Sequence, residues 1–97
     1  MTTATEARSY TRLPEHMRET ARAYAEEGLP PGGFLMAILC NDLTEAAGRA
    51  DAENQRALFA WANWLYNDLP RSAWGSAEKV EAWIDAHKAR REQEQGA

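Results

Sequence analysis

The residues best suited to chemistry are few and scattered. His16 and His87 are the only histidines and Cys40 the only cysteine, and their spacing builds no HExxH, CxxC or other metal-ligand pattern. No metal or cofactor is therefore expected. Asp42 is the carboxylate with the best claim to an unusual setting. A helix through it places it between Ile38 and Leu35, near a core boundary, where burial would raise its pKa and suit it to act as a base. No His or Lys stands beside it, so a structural salt bridge or hydrogen bond is the preferred reading. Nothing in the chain assembles a nucleophile with its base, and a non-enzymatic protein is expected.

Anion recognition has more to work with. Pro30-Pro31-Gly32-Gly33 opens one helix, and Trp74-Gly75-Ser76 opens another. Free backbone N–H groups and the positive helix end favour an anion at such starts. Arg12, Arg49 and Arg71 fall at element ends. A ligand site is accordingly expected from Gly33, Arg49, Arg71, Trp74 and Ser76. The chain lacks the spacing and lysine of a P-loop, so nucleotide hydrolysis does not follow. Arg56, Asn63 and Asn67 lie together on one side of their helix, where the amides could read a ligand's polar edges, although a plain solvent face is the simpler reading.

These residues need elements to carry them. The 97 residues suit one domain. Leu13, Met17, Ala21, Tyr24 and Ala25 recur at helical spacing after Pro14 and before the left-handed stop Gly28, giving a helix over 14–27. A second helix over 34–47 puts Leu35, Leu39, Leu43 and Ala46 on one side. Asp51 caps a third, 52–68, which Pro70 ends. Ser76 caps a fourth, 77–90. No stretch alternates like a strand. The expected fold is all-α: a compact bundle of four short helices over 13–90, with a flexible N-terminal arm (1–12) and a disordered tail (91–97).

The third helix is the unusual one. Leu58, Trp61, Ala62, Leu65 and Leu69 form its central face, with Phe59 and Tyr66 on one flank and Ala57 and Trp64 on the other. That arc spans roughly 220°, well beyond the ~100° stripe of a one-sided helix. Phe59, Trp64 and Tyr66 are therefore expected at an interface between copies of the chain, and a homo-oligomer follows.

Charge narrows the partners. Eleven Lys and Arg against 15 Asp and Glu give a net charge of −4. The short basic run His87-Lys88-Ala89-Arg90-Arg91 is followed by Glu92 and Glu94, which makes a poor nucleic-acid footprint. The lone Cys40 in an apolar run reads as a reduced, buried small hydrophobe. No apolar stretch approaches the roughly 20 residues of a membrane span, and no signal segment is visible, so a cytoplasmic protein is expected.

The stretches Gly28-Leu29-Pro30-Pro31-Gly32-Gly33-Phe34-Leu35, Asn41-Asp42-Leu43, Gly48-Arg49-Ala50-Asp51 and Trp74-Gly75-Ser76, with Glu78-Lys79-Val80 and Trp83-Ile84, resemble small proteins of tailed phages and prophages. The likeness covers about 13–84. It implies the cytoplasm of an infected bacterium; no residue role transfers with it. In that setting the leading expectation is counter-defence by sequestering a host small molecule, such as an immune signalling nucleotide. The alternative is docking on a host or phage protein through Trp64, Trp74 and the fourth helix. A transcription regulator stands third and a hydrolase last.

Overall fold

In the computed structural model, residues 10–96 are described, and among them every regular element is helical. The order is α1 (Arg18–Glu27), α2 (Gly33–Leu39), α3 (Leu43–Arg49), α4 (Ala52–Arg56), α5 (Leu58–Asp68) and α6 (Ala77–Gly96), with 3₁₀ turns at Glu15–Met17 and Arg71–Ala73. All-α is the class expected; the count is six helices, not four. Residues 1–9 of the expected arm and Ala97 lie outside the described residues. The arm's inner end is tied down, because the Tyr10 hydroxyl donates to Glu26 at 2.9 Å.

The two extra helices come from breaks that the helical wheel passed over. Asn41 adopts φ +63°, the left-handed region that asparagine tolerates better than most residues. Asn41 N–H bonds to Ile38 O and Asp42 N–H to Ala37 O, which closes α2. The Asp42 carboxylate then accepts from Glu45 N–H at 3.2 Å and starts α3. Asp42 is therefore an exposed helix cap, not a carboxylate at the core boundary. Leu43 is turned out of the core and is 71% exposed. The predicted helix over 52–68 is interrupted only at Ala57.

The core gathers Leu13, Ala21, Tyr24 and Ala25 from the N-terminal part, Phe34, Leu35 and Leu39 from α2, Trp61, Trp64 and Leu65 from α5, and Val80 from α6. Of the first stripe read from spacing, Leu13, Ala21, Tyr24 and Ala25 are buried and Met17 is half-buried against them. The helix begins at Arg18, after a 3₁₀ turn, and not at 14. Trp61, fully buried, meets Phe34 edge-on at 5.5 Å and Trp64 at 5.6 Å between ring centroids. Its indole N–H donates to Asn54 Oδ1 at 3.1 Å, which satisfies the one buried polar side chain of the described core. The Tyr24 hydroxyl donates to Ala73 O at 2.7 Å, and burial pushes that phenol well above its usual range.

The segment expected to fray is helical instead. α6 continues through 91–96 because Arg91 donates to the Glu27 carbonyl, one of the orphan acceptors at the end of α1. Trp83 donates to Tyr24 O at 3.0 Å, and His87 packs on Gly28. Gly28 itself has φ +67°, and a Cβ there would lie 2.4 Å from His87 Cβ. Gly28→Ala is expected to cost about 2–4 kcal/mol from the left-handed backbone and the overlap together. Urea unfolding of the variant measures this; an unchanged midpoint would show that α6 does not press on this turn.

Candidate functional site

Of the five residues expected to share a ligand, the structure brings together two sets, not one. Gly33 begins α2, and a side chain there would meet the Arg49 guanidinium at 2.9 Å. Arg49 is paired with Glu45 one turn earlier. Arg71, Trp74 and Ser76 belong to the other end of the same helix, since Gly75 N–H bonds to Leu39 O at 2.8 Å. α2 has seven residues, so about 10 Å of helix separates the two sets. The Ser76 hydroxyl accepts from Lys79 N–H at 3.2 Å, as a cap of α6. The Arg71 guanidinium stands 5.7 Å from the Trp74 ring, a cation–π contact. The expected composite pocket is not formed within one protomer.

Beside Gly33, a cleft of about 260 Å³ is lined by His16, Arg49, Asp51 and Asn54 among others. Its charged groups serve the helix starts. Asp51 accepts from Asn54 N–H at 2.8 Å, and His16 Nε2 lies 2.9 Å from Asp51. The Asn54 N–H, and after it His16, hold the Asp51 carboxyl below its ordinary value. A depressed carboxyl stabilises the fold above its unfolded pKa, and that contribution is lost as pH falls through the folded value. Asp51→Asn keeps the cap acceptor and removes the charge. It is expected to flatten the acid side of a stability–pH curve, below about pH 4, while changing neutral stability little. Thermal melts across pH test this; an identical acid limb in both proteins would refute it.

The interface residues also divide. Trp64 is 2% exposed, enclosed by its own protomer, with Tyr10 tilted against it at 6.2 Å. It is not available to a second copy, which corrects the sequence reading. Phe59 and Tyr66 remain 83% and 71% exposed. They lie on one stripe of α5 with the exposed Ala62 between them. Ala62 and Leu43 both line a largely apolar groove, with Ile38, Leu58 and Leu65 and the polar Asn41 and Asp42. The outward apolar face is thus Leu43, Phe59, Ala62 and Tyr66.

On the adjoining stripe of α5, Ala60, Asn63 and Asn67 line a cavity of about 310 Å³ with Arg12, Leu13, Trp64 and Asp68. Sequence reasoning named the two asparagines but preferred a solvent face for them. It had no means of placing Arg12 and Leu13 opposite them. Trp64 and Trp74 both bury an indole Nε1 without a hydrogen-bond partner, each at a cost of about 1–3 kcal/mol.

The remaining reactive groups are subdued. Burial, then the carboxylates of Asp42, Glu78 and Glu81, pushes the Cys40 thiol up, which lowers its thiolate fraction. Among the described residues no three metal-capable side chains gather, and no helix is long and apolar enough to cross a membrane. Comparison of the chain with protein-family models, curated proteins and solved structures finds no match.

Proposed function

We propose that the protein is a non-enzymatic binding protein that acts as a homo-oligomer, joined through Leu43, Phe59, Ala62 and Tyr66. The observation that carries this is the high exposure of two aromatic rings on one stripe of α5, whose middle residue Ala62 shares a groove with the exposed Leu43 of α3. At about 150–250 Å² per aromatic side chain, this face offers on the order of 400 Å², about half of what each partner contributes to a standard interface. The groove beside it supplies further apolar surface. A second copy suits the face because none of these four residues is charged. Two chains of net charge −4 meet with least repulsion where neither presents charge, and a twofold contact sets the same patch against itself.

Stoichiometric capture suits such a protein better than turnover. In the setting that the phage resemblance implies, that capture is of a host small molecule, as counter-defence, and the cavity beside Asn63 and Asn67 offers a place for it. Size-exclusion chromatography with light scattering tests the assembly, with a dimer or higher oligomer expected. A monodisperse monomer at high protein concentration would overturn the homo-oligomer. The same stripe would then belong to the alternative, docking on a host or phage protein, which predicts one co-purifying partner.

A further inference from the structure

We infer that the cavity between the Arg12–Leu13 segment and α5 is a binding site for a nucleoside or nucleoside monophosphate, read by Asn63 and Asn67. This rests on the reading of the chain as a binding protein but does not depend on its oligomeric state.

Three features of the cavity support the inference. Asn63 and Asn67 are one helical turn apart and both line it. Each carboxamide offers an acceptor and donors in one plane, and the pair can address the alternating donor–acceptor edge of a heterocyclic base. Among the described residues neither side chain makes a hydrogen bond that commits it elsewhere, whereas Asn54, on the core side, is spent on Trp61. The second feature is the wall. Leu13, Ala60 and the Trp64 side chain supply apolar surface. An apolar wall facing a few convergent polar groups is a usual form of a small-molecule pocket. The third is charge. Arg12 is the cation of this cavity, and Asp68 stands in the same lining. One guanidinium in a lining that also holds a carboxylate favours a ligand with no more than one anionic group.

Size agrees with that limit. A cavity of about 310 Å³ lies at the lower end of small-molecule sites, which excludes a dinucleotide or a polyphosphate tail from full enclosure. The site also differs from the one expected at the helix starts. Gly33 opens a helix of only seven residues, Arg49 of the next helix is already paired with Glu45, and Ser76 caps its own helix.

Isothermal titration of the full chain tests this with the four ribonucleosides, their 5′-monophosphates and one cyclic dinucleotide. Saturable binding of at least one nucleoside or monophosphate is expected, with the dinucleotide at least tenfold weaker. Asn67→Ala is expected to weaken the best ligand at least tenfold. Asn67 is exposed on a helix that alanine favours, so the fold should survive, and a circular dichroism spectrum checks that. Arg12→Ala is expected to reduce the monophosphate to the affinity of its nucleoside, while Arg49→Ala changes nothing. The inference falls if no nucleoside or monophosphate binds at millimolar concentration, or if binding is untouched by Asn67→Ala and Asn63→Ala. It also falls if the dinucleotide binds as tightly as the best monomer. Light scattering on the same samples reports the oligomer separately, so a lost ligand and a lost assembly cannot be confused.

Discussion

Phe59→Glu combined with Tyr66→Glu is expected to yield a monomer by light scattering, with an unchanged helical circular dichroism spectrum. Both rings project from α5 into solvent, at 83% and 71% exposure, and among the described residues no ring contact ties either to the protomer core. Their removal should therefore leave the fold intact. Buried aromatic anchors at interfaces typically contribute about 2 kcal/mol or more each, and 2 kcal/mol is about thirtyfold in dissociation constant. The substitutions also bring glutamates from two copies together, a repulsive element that adds to the lost contacts. A mass unchanged from the parent protein would move the interface elsewhere. Phe59→Leu, which keeps apolar area, should retain more of the assembly than Phe59→Glu.

Trp61→Ala is expected to be the most destabilising single change. The indole is fully buried, with rings of Phe34 and Trp64 edge-on to it and its N–H on Asn54. Truncating a buried tryptophan costs about 3–5 kcal/mol. It also strands the Asn54 amide oxygen, for about 1–3 kcal/mol more. Domains of this size are stable by about 5–15 kcal/mol in total, so much of the population should be unfolded at 37 °C. Trp61→Phe restores the ring packing but not the donor, and should recover most of the loss. Urea unfolding followed by circular dichroism measures both. Phe59→Ala, on the outer stripe of the same helix, is the control, with a change within about 0.5 kcal/mol under monomeric conditions.

The contrast between Trp61 and Phe59 shows how much of the molecule was legible beforehand. Gly28, Pro70, Asp51 and Ser76 mark element ends by local chemistry, and each does so in the structure. Spacing alone also found the stripe of Leu13, Ala21, Tyr24 and Ala25. The break at Asn41 was legible in principle, since Asp42 and Glu45 stand at capping-box spacing. A wheel drawn over 34–47 assumed continuity and lost it. Trp64 failed for another reason. The width of an apolar arc shows how much surface needs covering, but not which part of the same chain covers it. Tyr10, 54 positions earlier in the chain, does so from a segment read as a mobile arm. The cavity of Arg12, Asn63 and Asn67 was hidden by that same assumption. The helix over 91–96 was missed because its anchor, Arg91 on the Glu27 carbonyl, is a tertiary contact with no local signature.

The left-handed turn at Asn41 has an effect beyond ending a helix. Had the backbone run straight on, Leu43 would sit one turn below Leu39 and vanish among the inner side chains. The elbow swings it outward, into the lining of the groove that it shares with Ala62 of α5. One residue's tolerance for a rare backbone angle thus decides whether α3 adds an apolar corner to the exterior that Phe59 and Tyr66 already furnish.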